Sequence, residues 1–518
     1  MIQLQTRIKI PFLWGKSVFN KKNWQSINLI VGPNGSGKSL LVEEIEKQFR
    51  EQGHDVDFLR LGADVNSRDA DEGDFELLKS DSEIRSKIES VLSGMFAKSI
   101  QFEEKTDGSF APMVLHKTWN LEYDLQDREC HGLKGILKLL IALYRKKNGV
   151  LIVDEPELHL HPQFQLFFMT EIRKVVQANP EKIVFLVTHS PFFIDLQNPE
   201  DLLGVVVCHV NRSPTYIEEL SNLDCELLRK FLPRFNSYHK QFFFSDNQIF
   251  VEGYTDQQIF SKLLPLIDST KGAAGTGIID VGGKDELGVF FKVCSLLGTD
   301  ARVITDLDSL FQSKLRDVVC QDIRCRLWLE KQFERQLPFY EDIFTKKELN
   351  HKITLEILIR KLEKMLVQVG FSLGELNIDF VEDNELCILL EKLQNLSEKH
   401  ENVDAIDTFK TVILQGVMNI GENLSEYLPL PIAETLPRIK NLTNLVLAAL
   451  EAARVYVLPD GCIEHYYTQN EVLYMPVSGK DRLFHTELEH ISSIDELQVH
   501  LEYEKLISIL ERACSKVL

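Results

Sequence analysis

The run Gly32-Pro33-Asn34-Gly35-Ser36-Gly37-Lys38-Ser39 constrains this chain more than any other feature. It fits G-x-x-x-x-G-K-[ST] and lies between the apolar run Ile27-Asn28-Leu29-Ile30-Val31 and the helix-like Leu40-Leu41-Val42-Glu43-Glu44-Ile45. Strand, loop and helix in that order are the context the motif requires. Glycines let backbone N–H groups turn onto phosphate oxygens, and the helix N-terminus adds a favourable dipole. Lys38 then reaches the β and γ phosphates, and Ser39 holds Mg²⁺. Gly32, Asn34, Gly35, Gly37, Lys38 and Ser39 are therefore candidate ATP ligands in an α/β fold.

At 518 residues the chain exceeds what one core usually supports, so two or three domains are expected. A hydrophobic content of 44% and a charged content of 26% describe an ordinary globular protein. Met1-Ile2-Gln3-Leu4-Gln5-Thr6-Arg7 lacks a signal-peptide pattern, and no apolar run reaches the ~18 residues of a membrane span. A cytoplasmic protein without a membrane partner is the expectation. Nine cysteines without C-x-x-C pairs suggest neither a disulfide framework nor structural zinc. The net charge of −20 argues against a generally basic nucleic-acid binder. Contact with DNA then depends on local basic patches or bridging metal ions.

Two further strands belong with the phosphate loop. Val150-Leu151-Ile152-Val153-Asp154-Glu155 ends in two carboxylates, placing Asp154 to support Mg²⁺ and Glu155 to act as the base for water. Ile183-Val184-Phe185-Leu186-Val187-Thr188-His189-Ser190 ends in His189, where a γ-phosphate sensor belongs in an open parallel sheet. Loop, Asp-Glu strand and His strand together resemble the ABC-type ATPase heads. Asp154-Glu155-Pro156-Glu157-Leu158-His159-Leu160-His161-Pro162 resembles the branch found in overcoming-lysogenization-defect (OLD) family proteins. That likeness, with the flanking Pro162, favours a turn or dimer contact over a metal pair for His159 and His161. It also implies a signature loop that completes the partner subunit's nucleotide site. The matching place is Cys130-His131-Gly132-Leu133-Lys134-Gly135, before a helix expected from Ile136 to Tyr144. Gly132 fits; Cys130 replaces the usual hydroxyl, which points to slow turnover.

Asp69-Ala70-Asp71-Glu72-Gly73-Asp74 reads as a solvated surface loop. From Ile100 to Leu125 antiparallel strands are expected, with a turn at Asp107-Gly108. The ATPase domain is assigned to residues 1–240. The junction falls near 230–246, where Phe242-Phe243-Phe244-Ser245-Asp246 leads into a new α/β unit.

In that unit Ile249-Phe250-Val251-Glu252-Gly253-Tyr254-Thr255-Asp256 puts Glu252 at a strand's C-terminal end. Ile278-Ile279-Asp280-Val281 leads to Gly282-Gly283-Lys284 and a helix from Asp285 to Leu297. Ala301-Arg302-Val303-Ile304-Thr305-Asp306-Leu307-Asp308 ends in Asp-x-Asp. This order resembles the Toprim domain shared by topoisomerases, bacterial primases and OLD nucleases. Hard carboxylate oxygens clustered in this way require divalent cations. Two ions about 4 Å apart activate water and stabilise a leaving oxygen of a phosphodiester. A simpler reading, carboxylates that only cap helices, competes with it.

The Toprim unit is assigned to residues 241–518, interrupted by a helical insertion at about 311–450. There Leu355, Leu358, Leu362, Met365 and Leu366, then Leu386, Leu389, Leu390 and Leu393, recur at helical spacing. Arg324, Arg326, Lys331 and Arg335 read first as a solvated helix face. The α/β pattern resumes at Ala453-Arg454-Val455-Tyr456-Val457-Leu458-Pro459-Asp460-Gly461-Cys462-Ile463-Glu464. By resemblance Glu464 is a further metal ligand. Lys480, in Ser478-Gly479-Lys480-Asp481, is the cation for transition-state charge.

The resemblance implies an ATP-regulated DNA endonuclease with Mg²⁺ or Mn²⁺ on Glu252, Asp256, Asp306, Asp308 and Glu464. It implies a homodimer or higher homo-oligomer. It also implies a place in antiviral defence beside a companion, such as a reverse transcriptase with its DNA–RNA product or a helicase. A Toprim ribonuclease and a non-nucleolytic DNA-repair or chromosome-organising ATPase are the competing readings.

Overall fold

Strands covered on both faces are largely apolar rather than alternating, and the central strands of the first half of the chain are of this kind. A computed structural model describes residues 5–515 apart from 61–69, 97–98, 105–109, 117–120, 147–148, 159, 245–247, 268–275, 336–339, 342, 346–348, 350–351, 377–380, 382 and 398–402. His159, Asp69, the Asp107-Gly108 turn and Ser245-Asp246 thus lie outside the described residues. Two units are distinct, Met1–Asp246 with Leu296–Gly298, and Asn247–Ser295 with Thr299–Leu518. Among the described residues no helix is long and apolar enough to cross a membrane.

In the first unit β1 (Thr6–Ile8) pairs antiparallel with β2 (Phe19–Lys21). The main sheet holds β3 (Ile27–Val31) and β4 (Val56–Arg60), while β5 (Ser99–Glu104), β6 (Phe110–His116) and β7 (Leu121–Asp124) form a separate antiparallel meander. Completing the main sheet are β8 (Val150–Asp154), β9 (Ile183–Val187), β10 (Val205–His209) and β11 (Arg212–Tyr216). The strand order is β11-β10-β3-β9-β8-β4, parallel except for β11. The fully buried β8, β9 and β10 place the ends of β3, β8 and β9 side by side, which brings the phosphate loop, Asp154 and His189 to one edge.

Two sequence expectations are corrected here. The acidic stretch is no solvated loop over its described part. Asp71 caps the helix Glu72–Ser80 in a reciprocal box with Asp74, whose buried carboxylate also pairs with Arg145. Aspartates three residues apart at a helix start satisfy orphan N–H groups, so local hydrogen bonding outweighs the cost of like charge. The helix expected from Ile136 begins at His131, with Cys130 as its N-cap, because Leu133, Ile136, Leu137 and Leu140 continue one buried face. Phe242-Phe243-Phe244 itself belongs to a 3₁₀ turn, His239–Phe244.

The second unit contains β12 (Gln248–Val251), β13 (Gly277–Asp280), β14 (Arg302–Thr305) and β15 (Val455–Val457), all parallel in the order β13-β12-β14-β15. The chain steps from β12 to β13 on one side and then to β14 on the other. That reversal opens a crevice beyond the C-terminal ends of β12 and β14, the usual ligand position in such sheets. Between β14 and β15 the described residues are helical, including Ile323–Arg335, Leu355–Gly374, Asn384–Ser397, Val403–Asn419 and Leu436–Ala452. Ile249, Val251, Ile304 and Tyr456 share a core with Phe484, Leu506 and Leu510 from the helices Lys480–Ser493 and Glu504–Cys514. Buried Arg302 donates at 3.0 Å to the Ala513 and Cys514 carbonyls, answering acceptors that a helix end leaves unpaired.

Candidate metal centre and nucleotide loop

The nucleotide loop is shaped by close backbone approach. Gly32 has φ 143°, and a side chain there would place Cβ 2.2 Å from the Cys208 carbonyl oxygen. Gly37, at φ 81°, opens the helix Lys38–Glu51. Lys38 Nζ donates to the Gly32 and Pro33 carbonyls at 3.1 and 2.9 Å, so the cation sits over the loop. Burial lowers its pKa against the pull of Cys208, Asp154, Glu155 and Glu157. Ser36 Oγ and Asp154 Oδ1 are buried with no hydrogen-bond partner among the described residues. Asp154 Oδ2 accepts from Arg60 Nε at 3.1 Å. Unpaired buried oxygens beside a lysine-bearing loop suit a Mg²⁺–nucleotide.

Glu155 adopts φ 56°, unusual for a residue with a side chain, just past the end of β8. His189 follows β9. Burial first, then Lys38, lowers its pKa to about 4. Sequence reading passed over Glu157. Its carboxylate accepts from Thr188 Oγ1 at 2.8 Å and from the His189 N–H at 2.6 Å, tying the β8 and β9 ends together. Gly132 is buried in the first turn of its helix, beside exposed Cys130 and His131.

In the second unit the ends of β12 and β14 bring Glu252, Asp306 and Asp308 together, each with a carboxylate oxygen within 4.8 Å of the others. Glu252 Oε1 accepts from Thr305 Oγ1 at 2.6 Å, the Asp306 N–H at 3.0 Å and Ser309 Oγ at 3.3 Å. Neighbouring donors thus fix the Glu252 carboxylate. Asp308 pairs with Lys284, while its Oδ1 is buried with no hydrogen-bond partner among the described residues. Three hard oxygen donors and one unpaired buried oxygen fit a divalent cation.

Asp256 and Glu464 are not part of that close triad. Burial, then Glu252 and Glu464, push Asp256 up to about 7, against the Gly253 N–H and Lys480. Burial, then Glu252, Asp256 and Asp308, hold Asp306 well above the usual carboxylate range. Lys480 Nζ pairs with buried Glu464 at 3.1 Å. Burial works against the Lys480 charge, but Cys462, Glu464 and Asp306 outweigh it and raise its pKa. Of the basic residues in the insertion, Arg324 is engaged with Asp322 and Asp300. Lys284, Thr305 and Ser309 carried no motif; only the Gly-Gly-Lys position after β13 offered a hint.

Residues 243–308 match the family described as overcoming lysogenization defect protein-like, TOPRIM domain. Residues 131–195 match the AAA domain family described as putative AbiEii toxin, Type IV TA system. The first span contains Glu252 to Asp308 and the second Gly132 to His189. Neither reaches Lys38, Glu464 or Lys480. An OLD nuclease of Thermus scotoductus is 30% identical over 172 residues, 32% of this chain and 31% of that protein. The Old nuclease of Escherichia phage P2 is 24% identical over 174 residues, 32% of this chain and 29% of its own length. The matched region thus spans under a third of either relative.

Proposed function

We propose that this chain, an ATPase–Toprim protein of the OLD family, is an ATP-regulated, divalent-metal-dependent DNA endonuclease. The observation that carries this reading is the convergence of Glu252, Asp306 and Asp308 at the reversal point of the second sheet. Glu252, Asp256, Asp306, Asp308 and Glu464 would hold Mg²⁺ or Mn²⁺, two ions in this reading. Such ions supply an activated water and charge stabilisation for phosphodiester cleavage. Thr305, Ser309 and the Asp306 N–H keep Glu252 oriented before any ligand arrives. Lys480, aligned by Glu464, offers positive charge to the scissile phosphate.

On the ATPase side Lys38, Ser39 and Asp154 bind Mg²⁺–ATP with the loop residues Gly32, Asn34, Gly35 and Gly37. Glu155 is the base and His189 the γ-phosphate sensor. Gly132, at a helix N-terminus, completes the site of a second copy, so a homodimer or larger homo-oligomer is the working form. The toxin wording attached to one of the two matching families is in keeping with antiviral defence. A companion, such as a reverse transcriptase with its DNA–RNA product or a helicase, would supply the trigger.

The test is supercoiled-plasmid nicking with Mg²⁺ or Mn²⁺, with and without ATP, beside Glu252→Ala and Lys38→Ala. Nicking by the wild type and its loss in Glu252→Ala are expected, with Lys38→Ala losing only the ATP response. Cleavage that survives Glu252→Ala would remove this centre from the reaction.

A further inference from the structure

We infer that Gln415, a residue of the helical insertion, is a positioning residue for the metal centre, an inference that rests on the reading above. Gln415 is 1% exposed on the helix Val403–Asn419. Its Nε2 donates to the Asp460 carbonyl at 2.8 Å and lies 3.0 Å from His465 Nε2. Its Oε1 accepts from the Met475 N–H at 3.0 Å. One amide therefore grips two segments, that of Glu464 and that leading to Lys480.

The grip extends to the aspartates. Gly461, next to Asp460, accepts at 2.8 Å from the N–H of Leu307, the residue between Asp306 and Asp308. Gly461 has φ 137°, and a side chain there would meet Gln415 Nε2 at 2.4 Å. The loop is thus fitted against the amide with no room for a methyl group. Among the described residues Gln415 makes no hydrogen bond to a proposed metal ligand. Its effect on them runs through Asp460, Gly461 and Met475, which makes the insertion a structural support of the centre. Such outer contacts are typically worth about 10- to 100-fold in metal affinity or activity.

The experiment uses the full chain and compares Gln415→Leu and Gly461→Ala with Val412→Ala, a fully buried neighbour on the same helix that serves as a packing control. Mn²⁺ binding is measured by electron paramagnetic resonance, and hydrogen exchange is followed at Leu307 and across 460–475. Both test variants should bind Mn²⁺ about tenfold more weakly and exchange faster in those segments. Val412→Ala should match the wild type in both. Either test variant suffices if the other does not fold. Unchanged affinity and exchange in the test variants, or equal losses in Val412→Ala, would overturn the inference. A wild type that binds no Mn²⁺ and nicks nothing refutes the metal reading instead, and exchange at Leu307 and 460–475 then decides the positioning by itself.

Discussion

At Asp308 one carboxylate combines an ion pair with Lys284 and a buried oxygen that has no hydrogen-bond partner among the described residues. Asp308→Ala is expected to abolish plasmid nicking while ATP binding, followed by fluorescent-nucleotide titration, stays as in the wild type. Retained nicking would remove Asp308 from the site. Glu252, Asp306 and Asp308 were legible because each follows an apolar strand, and a strand's end is where an open sheet presents chemistry. Lys284, Thr305, Ser309 and Gln415 were not. Their roles depend on which strands become neighbours and on how the insertion folds back, and no local spacing records either. Glu157 was hidden differently: it sits among carboxylates and histidines in one run, and only the pairing of β8 with β9 shows which of them bridges.

Among the elements, the helix Glu72–Ser80 shows how a charge pattern misleads. Counted by sign, Asp71, Glu72 and Asp74 look like solvated surface; by position, they make an N-cap and its reciprocal partner. Asp71→Ala removes the oxygen that accepts from the Asp74 N–H and is expected to cost about 1 kcal/mol, read as a lower urea midpoint by circular dichroism. No shift would mean that the helix start is held by its packing alone. The parallel strands that end in the candidate site residues were readable from their apolar runs, whereas β4 and β10 of the main sheet were not read. The start of the helix His131–Tyr144 was not, since two glycines in its first turns look like loop composition until the buried face is seen.

For the whole molecule, proton and metal balance becomes measurable. Burial and its acidic neighbours keep the Asp256 carboxyl protonated up to about pH 7 without metal. The stability this gives the folded chain is present below the usual carboxylate range and lost as pH rises through about 7. A cation that displaces the proton binds better as pH rises. Mn²⁺ affinity should therefore increase from pH 6 to pH 8 in calorimetry, with proton release, and Asp256→Asn should flatten the rise; a pH-independent wild type would sink the coupling. The order of the strands along the chain has a biosynthetic consequence. During synthesis from the N-terminus, Glu252, Asp306 and Asp308 leave the ribosome before the helices that separate β14 from β15, whereas Glu464 and Lys480 follow them. A nascent or prematurely ended chain thus carries the Glu252–Asp306–Asp308 triad without Glu464 or Lys480, and the proposed metal centre stays incomplete until the insertion has been translated and β15 has docked.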